Sequence, residues 1–298
     1  MLMHTAKWLS GMGVALLLLI AYSPAQATIL EDFGYVDAND IDVDAVGVTL
    51  GATAYSGFGK SVNMVVGEGN ILGAVSQPIT QSQLQGTNGA FTYEALIKVG
   101  GINPLESQCI MAMGPTASGS GGQSFQFRIG SGGMLQFIEV EPSVQVVEAA
   151  IPTSGANAWS ADHWYHVAAS YTGSEGTSGN TSLYWTRLGD DVTTANLLGT
   201  GTLSSDISSG VQHQFTIGNR FTQNGEDSLA GLIDEVRISD IARGAGGFIF
   251  SSSGAPSPYT ADANTLHLWT ADVPEPASML MLSTALIGLL AYAWRKRK

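Results

Sequence analysis

Between Thr28 and Asp272 the sequence carries no stretch with the three-to-four-residue apolar period of a helix. Short alternating runs follow one another instead, parted by Gly, Ser, Asn and Pro clusters. In Phe91–Val99 the odd positions Phe91, Tyr93, Ala95, Ile97 and Val99 share one face. Thr92, Glu94 and Lys98 share the other, with Leu96 as the exception. Phe125, Phe127 and Ile129 alternate with Gln126 and Arg128. The Gly130-Ser131-Gly132-Gly133 run then predicts a hairpin turn into Met134–Val140. Further strands are expected over Trp164–Tyr171, Ser182–Leu188, Gln214–Gly218, Leu232–Ile238 and Thr265–Trp269, with Thr172–Asn180 as a loop. Residues 28 to about 85 should supply edge strands, including Ser61–Val66. Strands at this density without intervening helices predict an all-β, two-sheet antiparallel sandwich. The 37 glycines fit its many turns.

The two ends read differently from the body. Lys7, an apolar run from Gly11 to Ala21 and then Ser23-Pro24-Ala25-Gln26-Ala27 make the layout of a secretory signal, residues 1–27. Ala25 and Ala27 are the small residues of its cleavage site, and the run is too short to span a bilayer. At the other end, Val273-Pro274-Glu275-Pro276 precedes an uncharged run, residues 277–294, and the basic tail Arg295-Lys296-Arg297-Lys298. The run is long enough for a transmembrane helix, with the basic tail on the cytoplasmic side. This order of features over residues 273–298 resembles the PEP-CTERM sorting signal of Gram-negative bacteria. The resemblance implies that exosortase reads Pro274, Glu275 and Pro276 and cuts nearby. The body would be held briefly at the inner membrane, then passed to the cell surface or an extracellular matrix.

Within the body, residues 28–272, four segments occur in one order. Phe91-Thr92-Tyr93-Glu94-Ala95-Leu96-Ile97-Lys98 is similar to an F-T-x-E-A-W-x-K strand. Trp164-Tyr165-His166-Val167-Ala168-Ala169-Ser170-Tyr171 is similar to W-x-H-V-A-x-x-Y. Ile217-Gly218-Asn219 matches I-G-N, and Gly231–Ile238 matches G-x-I-D-E-V-R-I. Together they resemble laminin-G-like, concanavalin A-like jelly-roll domains.

Strand alternation over Leu232–Ile238 groups Asp234 with Leu232, Val236 and Ile238, which points its carboxylate inward. An inward carboxylate needs a cation or several donors. Calcium is one solution, and the resemblance implies a calcium in such a sandwich, with Asp234 as ligand and Asp32 as the second candidate. The acidic stretch Asp37, Asp40, Asp42 and Asp44 lacks the glycine and terminal Glu of an EF-hand loop. His163 and His166 lie three apart on an extended segment and face opposite ways, so they do not close on one metal. His213 and His267 have no partner nearby in sequence. Cys109 sits in an apolar strand as a buried small hydrophobe. Glu139 and Glu141 read as solvent-facing strand carboxylates rather than a hydrolase pair. Trp159, in a Gly/Asn/Ala loop, is the candidate aromatic platform for a sugar.

Charge narrows the partners. Residues 28–276 hold 7 basic and 25 acidic side chains, a net of −18. Such a field repels nucleic acid and anionic membranes and suits a divalent cation. Membrane contact is expected only through the C-terminal helix. The expected function is a non-enzymatic surface or matrix protein with a lectin-like adhesion domain for glycans or exopolysaccharide. The alternatives are a carbohydrate-active enzyme of the same fold, or a ligand-free scaffold.

Overall fold

The computed structural model describes residues 30–32, 44–46, 49–64, 71–73, 79–102, 106–114, 122–189, 191–208, 210, 212–220, 227–248 and 256–270. The signal, the acidic stretch Asp37–Asp42, and the sorting tail with Pro274, Glu275 and Pro276 lie outside them. So do the two helices expected at the chain ends. Among the described residues no helix is long and apolar enough to cross a membrane.

The strands are β1 (Leu30–Asp32), β2 (Asp44–Val46), β3 (Thr49–Thr53), β4 (Lys60–Met64), β5 (Ile71–Gly73) and β6 (Ile79–Thr80). Then come β7 (Phe91–Val99), β8 (Gln108–Gly114), β9 (Phe125–Gly130), β10 (Met134–Glu139) and β11 (Gln145–Ala150). The series ends with β12 (Tyr165–Tyr171), β13 (Thr181–Arg187), β14 (Leu197–Gly201), β15 (Gln212–Ile217), β16 (Gly231–Ser239) and β17 (Thr265–Thr270). They form two sheets. Sheet I runs β1-β17-β16-β7-β12-β13-β14, with β4 also on β16 and β3 on β4. Sheet II runs β11-β10-β9-β8-β15-β5-β2, with β6 also on β15. Every pairing is antiparallel except β1 on β17, which is parallel.

The inner faces meet in one core. Phe91, Tyr93, Phe125, Phe127, Phe137, Phe215, Trp185 and Trp269 are all fully buried in it. Phe91 stacks on Tyr93 at 4.3 Å between ring centroids, and Tyr93 on Phe125 at 4.6 Å. Truncating one such ring to alanine costs about 3–5 kcal/mol. The strand alternation read from sequence places Phe91, Tyr93, Phe125 and Phe127 correctly on the inner faces of β7 and β9. Strands β11 and β14 were not expected. β14 lies against β11 at one side of the sandwich. A Cβ at Gly201 would stand 2.6 Å from Val147, and one at Gly199 2.8 Å from Ala149, so glycine is what lets these edges approach.

β16 corrects the expected alternation. Asp234 pairs with Leu96 and Arg237 with Glu94, so Glu235 and Val236 together stand opposite Ala95. Glu235 takes the extra position, with φ +49°. This bulge shifts the phase of the strand. Ile233, Val236 and Ile238 enter the main core. Asp234 follows its pairing partner Leu96 to the outer face of sheet I, where it is 1% exposed. It is buried, as its sequence context indicated, but on the opposite side from Val236 and Ile238.

Candidate functional site

The outer face of sheet I is sealed. Residues 240–248 and 256–262, with Leu188, Val192 and Ala195, cover it, and Leu96, Trp164, Ala168, Tyr184, Phe248, Tyr259 and Leu268 form a second apolar cluster there. Trp164 therefore belongs to this outer cluster, not to the core between the sheets. Polar side chains beneath the cover bond one another. Arg237 Nε donates to Glu94 Oε1 at 2.7 Å, and His166 Nε2 donates to Glu94 Oε2 at 3.1 Å. Burial alone would raise the Glu94 pKa, but Arg237 and His166 outweigh it and hold it below its ordinary value. Burial keeps His166 below its own ordinary value, against the pull of Glu94. The Arg237 guanidinium lies 4.7 Å from the Tyr259 ring centre. Arg243 makes a two-pronged bond to Asp262, at 2.8 and 2.7 Å. Thr92, Ser170 and Ser239 stitch Ile241 and Arg243 to the sheet. The strand motifs that single this chain out in sequence thus converge through Glu94, His166, Arg237 and Glu235. Their role is to hold a covering segment down.

The outer face of sheet II is different. The registers Glu148↔Gln136 and Gln136↔Arg128 line up one row across β11, β10 and β9. Gln136 Nε2 donates to Glu148 Oε2 at 2.6 Å, and Arg128 Nε donates to Gln136 Oε1 at 2.9 Å. Arg128 Nη1 donates to Gln126 Oε1 at 3.0 Å, and Gln126 Nε2 to Gln123 Oε1 at 2.6 Å. Arg220 Nη2 also reaches Gln123 Oε1, and its Nη1 reaches Asp227 Oδ2, both at 3.3 Å. The result is a continuous polar ladder over three strands and their flanking loops. Two glycines make room for it. A Cβ at Gly130 would stand 2.1 Å from Gln136 Oε1, and one at Gly114 3.1 Å from Gln123 Cγ. Glu148 is exposed, and Gln136 and Arg128 are half-buried. Only two of the five guanidinium donors of Arg128 serve these bonds. Such planar amide, carboxylate and guanidinium groups can offer paired donors and acceptors to a polyhydroxyl ligand. Sequence reasoning had assigned Gln126 and Arg128 only to the polar side of a strand. The usable signal was amides and Arg, in place of Thr and Lys, at alternate positions ending in a glycine.

Trp159 is half-buried and packs on the main core, deeper than its loop context suggested. It walls a groove of about 450 Å³ with Ile102, Ile151, Pro152 and the Gly132–Gly133 turn. A larger cavity, about 690 Å³, opens beside the end of β13 near Asn157, Arg187, Asp191 and Asn196. Several of its polar groups are already engaged. Asn157 Oδ1 accepts the Arg187 N–H at 3.0 Å, Thr186 Oγ1 accepts the Asn196 N–H at 2.8 Å, and Arg187 bonds His163.

The remaining sequence candidates fall elsewhere. Asp234 Oδ1 accepts the Glu235 N–H at 2.8 Å, within the bulge. Asp32 lies on β1, and β17 separates β1 from β16, so the two Asp backbones stand at least two strand spacings apart, about 9.5 Å. Among the described residues no group of three or more His, Cys, Asp and Glu gathers where it could hold a metal. His267 contacts the Gln83 carbonyl at 2.9 Å, and His213 lies near Glu141, so both have partners distant in sequence. Cys109 is fully buried, as expected. Glu139 corrects its solvent-facing assignment: it is buried, and accepts from Gln145 Nε2 at 2.9 Å and Ser205 Oγ at 3.1 Å. Burial raises its pKa to about 7, the Ser205 bond works against this, and the charges of Asp206 and Glu175 add to it.

A family model described as the concanavalin A-like lectin/glucanases superfamily matches residues 73–246. A second, the PEP-CTERM protein-sorting motif, matches residues 272–298. No curated protein matches the chain. Among solved structures, a candidate carbohydrate binding protein from Bacteroides ovatus is 22% identical, with a TM-score of 0.42. That match covers 62% of this chain and 46% of the other, so the chain spans less than half of that protein. The CBM40 of a Ruminococcus gnavus IT-sialidase, bound to α2,3-sialyllactose, is 11% identical over 60% of this chain and 90% of that one, with a TM-score of 0.41. Tailspike protein 2 of an Escherichia coli O157:H7 bacteriophage is 12% identical over 84% of this chain and 31% of that one, with a TM-score of 0.48.

Proposed function

This chain belongs to the concanavalin A-like lectin/glucanases superfamily and carries a PEP-CTERM sorting motif, and from that premise we propose that it is an exported surface or matrix protein that binds glycan through the outer face of sheet II. The sorting motif marks an exported, surface-sorted protein processed by exosortase. The observation that carries the binding reading is the Glu148–Gln136–Arg128–Gln126 ladder, partly exposed and with guanidinium donors to spare. Binding is favoured over hydrolysis because the described carboxyl group best tuned as a general acid, Glu139, is fully buried and holds two protein donors. A substrate oxygen has no route to it in this arrangement. The sorting signal and a binding face suit adhesion to exopolysaccharide or other glycans.

A glycan array probed with the full chain, purified in detergent, tests this. The wild type is expected to bind at least one glycan class. Arg128→Ala is expected to weaken that binding about tenfold or more at an unchanged melting temperature, the size of a charge-assisted hydrogen bond. Undiminished binding by Arg128→Ala would remove the ladder from the site. Silence of the wild type across the array would favour the ligand-free scaffold.

A further inference from the structure

We propose that the glycan bound on sheet II is acidic, with a carboxylate or sulfate seated on Arg128; the inference rests on the glycan-binding reading and names its ligand class. Residues 28–276 hold 25 acidic and 7 basic side chains, so an arginine of this body has carboxylates in excess to pair with. Three of the five described arginines take one. Arg237 pairs with Glu94 at 2.7 Å, Arg243 with Asp262 at 2.7 Å and Arg220 with Asp227 at 3.3 Å. Arg128 instead bonds the neutral amides of Gln136 and Gln126. Amide oxygens hold a guanidinium in place without cancelling its charge. With Nε and Nη1 both tied, the plane of the group is set before a ligand arrives. Its Nη2 makes no hydrogen bond to a described residue, and it is not closed off from solvent as Nη2 of Arg237 is.

The ladder differs in charge from end to end. Glu148 stands at the β11 end, with Gln136 between it and Arg128. The Glu148 and Arg128 backbones are two strand spacings apart, about 9.5 Å, near the screening length of physiological salt. At the β9 end, Arg128 and Arg220 hold the Gln126–Gln123 amide pair from its two ends, and Asp227 balances one of these cations. An anionic oxygen there meets charge-assisted donors, and the fork of a guanidinium matches the paired oxygens of a carboxylate or sulfate. A neutral sugar in the same place leaves the Arg128 charge uncompensated. Sugar hydroxyls suit the other end, where Gln136 and Glu148 offer amide and carboxylate oxygens. The field of the acidic body opposes an acid at long range, but salt screens it beyond about 8 Å, and the contact with Arg128 lies within that distance. The site therefore reads an acid at β9 with hydroxyls running toward β11. An acid on every ring would bring one of them against Glu148.

The test is a panel of uronate, sulfated hexose and neutral hexose trisaccharides, each acid with its carboxyl-reduced or desulfated counterpart, titrated against the full chain in non-ionic detergent. At least one acid should bind about tenfold or more tighter than its neutral counterpart. Arg128→Gln, which keeps a polar amide and drops the charge, should abolish that preference at an unchanged melting temperature. Arg128→Lys, which keeps the charge and loses the fork, should retain the preference with binding about threefold to tenfold weaker. Glu148→Gln should tighten binding of a trisaccharide with an acid on every ring by about twofold to fivefold. Should the glutamine variant of Arg128 not fold, the acid-to-neutral ratio of the wild type decides. If neutral counterparts bind as tightly as the acids while Arg128→Ala loses binding, the acidic ligand falls and the ladder reading stands. An acid preference that survives in Arg128→Gln overturns the seat on Arg128. A wild type that binds neither this panel nor any glycan of the array overturns both readings together.

Discussion

The two outer faces of this sandwich are built from the same strand alternation and reach opposite ends. On sheet I the outward polar residues Glu94, His166 and Arg237 lie under a covering segment and bond one another, Arg237 through Nε, with its Nη2 buried and unpartnered among the described residues. On sheet II the outward residues Gln126, Arg128, Gln136 and Glu148 also bond one another, but Arg128, Gln136 and Glu148 stay partly open and Arg128 retains donors. The difference lies in what lies on top. A face of charges under an apolar cover must pair its ions within the protein, because an unpaired ion there is very costly. A face of amides open to solvent need not.

The largest expected effect tests the sealed side. Arg237→Ala leaves the Glu94 carboxylate without its main cation and should cost about 3–5 kcal/mol in chemical denaturation. Arg128→Ala, on the open face, should cost no more than about 1 kcal/mol. Equal costs would break the distinction between the faces. The seam between the sheets gives the next effect. Glu139 is buried without a cation, and its pKa is raised from 4.5 to about 7. The folded form therefore holds a proton that the unfolded form has released between those values. Its contribution is full below pH 4.5 and is lost as pH rises through about 7. Glu139→Gln should gain stability relative to the wild type as pH goes from 5 to 8. His166 and His213, with lowered values, act in the opposite sense below pH 6.5, so the comparison has to be variant against wild type at each pH. A gap that does not widen with pH would place Glu139 in a more hydrated setting. The smallest stability effect belongs to Gly130→Ala. Its Cβ would displace the flexible end of Gln136 and break a rung of the ladder. Melting should shift little, by less than about 1 kcal/mol, while glycan affinity falls. A variant with unchanged affinity would show that Gln136 is dispensable.

The legible and hidden parts of the structure divide along the same line. Strands β7, β9, β10 and β12 were readable because apolar residues mark their inner faces without ambiguity. The β16 bulge was not, because the strand shifts phase at Asp234-Glu235, where two adjacent polar residues carry no phase information. β11 was hidden because Val146-Val147 and Ala149-Ala150 put apolar residues on both of its faces. The motifs of the sealed face stood out as motifs, yet their joint role depends on contacts between β7, β12 and β16 that sequence spacing does not report. The ladder looked like ordinary strand exterior, since each member is unremarkable until register puts it beside the next. Trp159 was picked out as an aromatic in a loop, but its depth and its buried N–H come from packing alone.

The parallel pairing of β1 with β17 has a mechanical meaning for a protein handled by its C-terminus. β17 ends at Thr270, paired with Asp32, and the sorting motif begins at residue 272. Any pull on the tether enters at the end of β17. That strand is bonded to β16 on one side and to β1 on the other, so drawing it out means parting two ladders at once. The short N-terminal strand thus works as a clasp over the strand that bears the load.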